Sequence, residues 1–176
     1  MAEPVHIAPA TTAAELVAVR KLCWDYRSYL LNFAPVEREI TETFYPIPEY
    51  EALLARLEEI HARPQGIILL ATRGGVPIGC GMSQGLDAQT SEIKRVFVSQ
   101  DARGGGIARK MCETLIQRAQ ADGFERVVLD TSKGLLAARK LYVSLGFKER
   151  DPYQPIPQAV LPNLYFFQIN LKGIIS

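Results

Sequence analysis

Residues 103 to 108 read Arg103-Gly104-Gly105-Gly106-Ile107-Ala108, and the chain on either side decides what that run means. Before it, Glu92 to Val98 has the character of a β-strand. After it, Ile107, Ala108, Met111, Cys112, Leu115, Ile116 and Ala119 recur at the spacing of one face of an amphipathic helix. Strand, glycine corner and helix, in that order, form a cradle for an anion. Glycines carry no Cβ, so the backbone can take unusual φ/ψ values and come within hydrogen-bonding distance of a bulky ligand. The first N–H groups of the helix have no intrahelical partner, and the helix dipole makes that end attractive to negative charge. Arg103 adds a permanent cation. A pyrophosphate is the group such a corner suits. Phosphate-hydrolysing loops end in Gly-Lys-Ser/Thr, which is lacking here. Glycine-rich corners also serve as plain connectors, so the rest of the chain has to decide.

Further along, Ala138-x-x-Leu141-Tyr142-x-x-x-Gly146-Phe147 supplies a second segment to set beside Arg103-x-x-Gly106-x-Ala108. Together they resemble the two signature segments of the GNAT superfamily of acyl-CoA-dependent N-acyltransferases. The likeness is best from Ile67 to Phe147. Leu129-Asp130-Thr131 and the closing Tyr165-Phe166-Phe167 are similar to a branch of small single-domain acetyltransferases. The resemblance implies an α+β fold, with a mixed central sheet of about six to seven strands flanked by about four helices. It also implies an enzyme that transfers an acetyl group from acetyl-CoA, as cosubstrate and without a metal, to the amine of a small molecule by direct attack in a ternary complex. A protein or peptide N-acetyltransferase and a non-catalytic CoA-binding regulatory module are the alternatives.

Carried over residue by residue, the resemblance assigns the pyrophosphate to the amides of Gly104, Gly105, Gly106, Ile107 and Ala108, with Arg103 beside them. Val96, Phe97 and Val98 would pair with the pantetheine arm as an added strand. A backbone N–H at Phe97 or Val98, where family members carry a bulge, would polarise the carbonyl. Tyr142 matches the tyrosine that protonates the coenzyme sulfur, and Glu92 matches an acidic position that acts as base in some relatives. Asp130, at the end of the next parallel strand, is the other candidate base. Each has an ordinary reading too: Tyr142 as core, Glu92 as an ion pair with Lys94 or Arg95, Asp130 as a turn cap. Leu135 stands where many relatives have an Asn that contacts the coenzyme, so binding there should be arranged differently.

Composition sets the outer limits. The 176 residues are expected to form one domain, 1–176, with 48% hydrophobic and 22% charged residues. A net charge of +1 leaves no broad footprint for nucleic acid, a tRNA acceptor included. Cys23, Cys80 and Cys112 sit at apolar positions and read as buried free thiols, and with His6 and His61 far apart no zinc site is expected. His61, just before Pro64, reads as a structural helix-end residue. No stretch is long and apolar enough for export or membrane insertion, which leaves the cytoplasm as the expected compartment. Homodimers are common in the superfamily.

Outside the signatures, the pattern predicts a strand over Val5 to Ala8 and a helix capped by Thr12 and Glu15. Asn32 to Tyr45 has no periodicity and reads as irregular. A second helix, striped by Leu53, Leu54, Leu57 and Ile60, stops at Pro64, and strands follow over Ile67 to Ala71, Val76 to Ser83 and Ser91 to Val98. Glu125 to Asp130 and Leu164 to Leu171 are further strands, and Gly146 caps a helix with Phe147 folding back. Acceptor recognition is expected from Asn32 to Tyr50 and Tyr153 to Asn163, with Tyr29, Phe33, Phe44, Tyr45 and Tyr153 as candidate walls of a pocket.

Overall fold

The computed structural model describes residues 2–171. Seven strands form one sheet in the order β1-β2-β3-β4-β5-β7-β6. They are β1 (Val5–Pro9), β2 (Ile67–Arg73), β3 (Val76–Gly85), β4 (Thr90–Val98), β5 (Arg126–Ser132), β6 (Lys148–Arg150) and β7 (Leu164–Asn170). Only β4 and β5 run parallel; the other neighbours are antiparallel. The helices are α1 (Ala13–Phe33), α2 (Pro35–Phe44), α3 (Ile47–Ala55), α4 (Leu57–Ile60), α5 (Ile107–Ala121) and α6 (Leu136–Ser144).

The expected α+β architecture is therefore present, with more helical pieces than the pattern indicated. At the start of α1 the capping box forms as read: the Glu15 N–H donates to Thr12 Oγ1 at 3.2 Å and the Thr12 N–H to Glu15 Oε2 at 2.9 Å. The helix striped by Leu53 to Ile60 is two pieces, broken at Arg56. Helix α2 was expected as an irregular segment. Pro35 opens it at the first turn, where its missing N–H costs nothing, and Ile40 packs with Val160, Leu164 and Phe166 while Val36 and Phe44 flank that cluster.

Two larger cores lie on opposite faces of the sheet. One joins α5 and the inner face of α6 to Leu69, Ile93, Val127 and Phe167; the other joins α1, α3 and α4 to Leu70, Cys80, Met82 and Phe97. The three cysteines are buried and free. His61 is buried at the end of α4, with Nδ1 2.8 Å from the Ser83 carbonyl and Nε2 2.9 Å from Arg95 Nη2. A carbonyl can only accept and a guanidinium can only donate. His61 is thus neutral, protonated on Nδ1, and spans the helical layer and two strands.

One irregularity positions the site. Cys80 pairs with Phe97 and Met82 with Lys94, so Arg95 and Val96 together face the single residue Gly81, and Arg95 has φ +51°. This β-bulge bends β4. Pairing between β4 and β5 covers only Thr90–Glu92 against Arg126–Val128, although both strands continue. Past that point they part, and a cleft opens between them.

Candidate active site

The glycine corner sits beside that cleft. Gly104 has φ +91° and Gly106 φ +71°, and a Cβ on either would meet nothing within 4 Å. Glycine is needed there for the backbone conformation, and the space above the backbone is open. Gly106 is the N-cap of α5 and no side chain caps it, so the first-turn amides remain for a ligand. Arg103 is turned away from them. Its Nε donates to the Val98 carbonyl at 3.0 Å and its guanidinium lies 4.3 Å over the Tyr29 ring, on the aromatic wall of the cleft. A second cation lies closer: Arg73 Nη2 is 3.9 Å from the position of a Cβ on Gly105, and Arg73 Nε is buried without a hydrogen-bond partner. Open backbone, free amides and a buried guanidinium N–H fit a diphosphate.

A cavity of about 360 Å³ fills the cleft. Val96, Phe97, Val98, Arg103, Ala108 and Tyr142 line it, together with Lys94 and Asp130. Leu135 lines it too, an apolar contact where an amide side chain was the family expectation. The bulge lies at Arg95–Val96, two residues before the expected place, which alters the assignment of the polarising amide. The Ser99 N–H donates to the Ile78 carbonyl at 2.8 Å, and alternation along the strand then turns the Phe97 N–H towards β3. That of Val98 turns to the cleft. Phe97 therefore contributes its ring to the wall, and its amide is committed to the sheet.

Tyr142 is held by the end of its own helix. Gly146 takes φ +99°, the Phe147 N–H returns to the Tyr142 carbonyl at 3.1 Å, and the two rings meet edge to face at 5.9 Å. Burial raises the phenol's pKa well above its ordinary value, and Cys112, Tyr26 and Asp130 add to the shift. A neutral phenol keeps its proton, so it is equipped to act as a donor.

The two carboxylates are unequal. Glu92 is 1% exposed and does not line the cavity; Gln84 Nε2 donates to its Oε1 at 2.8 Å and the Tyr153 hydroxyl to its Oε2 at 2.6 Å. Asp130 does line it, and its Oδ2 is 3.3 Å from the same hydroxyl. Burial, chiefly, raises the Asp130 pKa; Glu92 pushes the same way, while Lys94 opposes it. A phenol has one proton to give, and the shorter contact takes it. Asp130 bonds that oxygen fully when it is itself protonated, so Asp130, Tyr153 and Glu92 form a chain from the cavity into the sheet.

The remaining wall comes from α1 and α2, where Tyr29, Phe33, Phe44 and Tyr45 all line the cavity. Tyr153 stands behind it, and Gln154 takes its place at the surface of the cavity. Glu37 and Ser132 escaped the sequence reading. Glu37 is buried in the wall and accepts a hydrogen bond from Ser132 Oγ, and a Cβ on Gly134 would lie 2.6 Å from Glu37 Oε1. Ser132-x-Gly134 directly after a strand was the available signal. Among the described residues no group of three or more His, Cys, Asp or Glu is placed to hold a metal ion.

The profile of the Acetyltransferase (GNAT) family matches residues 33–147. The chain belongs to that family. It is an acetyltransferase, and acetyl-CoA is the cosubstrate that membership entails. Over 130 residues this acetyltransferase is 29% identical to an IAA acetyltransferase of Azospirillum brasilense, a match covering 69% of this chain and 85% of that one. Other curated relatives are longer for the most part, and the matches span between 34% and 73% of their lengths. The fold is that of a GNAT acetyltransferase of Staphylococcus aureus Mu50 (TM-score 0.75, 17% identity, 96% of this chain and all of that one). It is also that of yncA from Salmonella typhimurium, solved with acetyl-CoA (TM-score 0.66, 20% identity, 98% and 97%).

Proposed function

We propose that this acetyltransferase moves the acetyl group of acetyl-CoA onto the amine of a small molecule by direct attack in a ternary complex. The observation that carries this is a single cavity whose lining includes Arg103 and Ala108 beside the glycine corner, Tyr142, and Asp130. Donor and acceptor would meet in it without a covalent enzyme intermediate. The amides of Gly104 to Ala108 and the Arg73 guanidinium hold the diphosphate, and Val98 offers its N–H group to the thioester oxygen. Acetyl-CoA supplies the activated acyl group. An amine at neutral pH arrives protonated and attacks only after losing that proton. Asp130 faces the cavity and takes it; Tyr153 passes a proton to Glu92, so the base is a relay of the two carboxylates. Tyr142 gives its proton to the departing sulfur.

The volume of about 360 Å³ and the aromatic wall of the cavity support a small acceptor over a peptide. No helix among the described residues is long and apolar enough to cross a membrane, and three free thiols suit a reducing compartment such as the cytoplasm. The test is release of free thiol from acetyl-CoA, measured with a panel of small amines beside peptides. Small amines should stimulate it and peptides should not; stimulation by peptides alone would overturn the reading.

A further inference from the structure

Lys94 lies in the wall of the cavity, and nothing in the reaction sketched above employs it. Its side chain is 20% exposed, and among the described residues its ammonium has one acidic neighbour in ion-pairing range, Glu92 Oε2 at 3.9 Å, which is beyond hydrogen-bond reach. That neighbour is already engaged. Glu92 accepts from Gln84 on one oxygen and from Tyr153 on the other. The second carboxylate, Asp130, is turned to the Tyr153 hydroxyl. An ammonium has three protons to donate, and a ligand that displaces solvent from this wall of the cavity must supply their acceptors. Burial opposes its charge, yet Tyr45, Asp130 and Glu92 outweigh that and keep Lys94 protonated.

We infer that Lys94 anchors a carboxylate of the acceptor, so that the substrate is an amino acid or a similar amine bearing a carboxylate close to the nitrogen. The inference rests on the acetyl-transfer reading given above and names its substrate class. Both charges of such a zwitterion find a complement in one wall: its ammonium faces Asp130 and its carboxylate faces Lys94. The rest of the molecule meets Tyr29, Phe33, Ile40 and Phe44, which favours an apolar or aromatic side chain. A peptide N-terminus has an amide where this carboxylate would be. A simple alkylamine would shut Lys94 off from solvent and offer its ammonium no acceptor.

The experiment compares matched acceptors, phenylalanine against phenethylamine and phenylalaninamide, and leucine against isoamylamine, in wild type, Lys94→Met and Lys94→Arg. Wild type should show kcat/KM at least about tenfold higher for the amino acids, the difference lying mainly in KM. In Lys94→Met that ratio should collapse towards one, and in Lys94→Arg it should largely return. Equal use of acid and amine by the wild type, or a ratio untouched by Lys94→Met, overturns the inference and leaves acetyl transfer to small amines standing. Acetyl-CoA binding with no amine of either kind acetylated overturns that broader reading, and the inference with it.

Discussion

Tyr142 and Tyr153 are both buried phenols, but their surroundings set them to different tasks. Tyr142 is fixed between Phe147 and Phe167, in the lining of the cavity. Tyr142→Phe keeps the packing and removes the proton, so turnover should fall by about 10²-fold or more, with the acetyl-CoA dissociation constant little changed by calorimetry. Lost binding with unaltered turnover would contradict its role as donor. Tyr153 instead bridges Glu92 and Asp130. The base must be ionised, so kcat/KM should rise with pH through the Asp130 pKa, which burial raises from its ordinary value. In Tyr153→Phe the link between the two carboxylates is gone, and the rising limb should shift along the pH axis; Asp130→Asn should abolish it. A limb that stays in place in Tyr153→Phe would argue against the relay. These assignments were only half legible in the sequence. Spacing and resemblance pointed to Tyr142, Glu92 and Asp130. That Asp130 faces the cavity, with Glu92 behind it, depends on Tyr153 arriving from a proline-rich segment whose path no periodicity describes.

Among the elements, the glycine corner was the most legible, because a strand, three glycines and an amphipathic helix leave little freedom in what they build. Gly106 is left-handed at the N-terminus of α5. Aspartate tolerates that conformation but would set a carboxylate against the incoming diphosphate. Gly106→Asp should fold with an unchanged circular dichroism spectrum and show no detectable acetyl-CoA binding in a titration; retained binding would place the diphosphate elsewhere. Less legible was β4. A bulge breaks the alternation on which any reading of strand faces relies, and Arg95 is not a residue whose identity announces a positive φ. The bulge lies at Arg95–Val96, before the Phe97 and Val98 positions expected to carry it. Helix α2 was missed because its core stripe is narrow, and Glu37 and Thr41, both buried, interrupt the pattern with polar side chains. Such conflicts between pattern and burial are expected where side chains serve a ligand.

For the molecule as a whole, the layers are tied together by a few buried polar contacts as well as by apolar packing. His61 joins the end of α4 to Ser83 on β3 and to Arg95 at the bulge. Burial first, then the Arg95 charge, lowers its pKa to about 4. With the folded value below the unfolded one, the stabilisation is complete above pH ~6.5 and is lost as pH falls towards about 4, at most roughly 3 kcal/mol. Urea unfolding at pH 7.5 and pH 4.5 should show wild type losing more stability on acidification than His61→Gln. Equal losses would contradict a neutral, bridging imidazole. The sequence showed His61 as a helix end, but its two partners lie on strands distant in the chain, and only the assembled sheet brings them to it.

Where the coenzyme lies decides which groups can act on the thioester, and a crystal structure of the protein with acetyl-CoA tests this directly. The expected result is the diphosphate on the amides of Gly104 to Ala108, the pantetheine between β4 and β5, and the sulfur beside the Tyr142 hydroxyl. A coenzyme bound outside the cleft, or a sulfur remote from Tyr142, would contradict it.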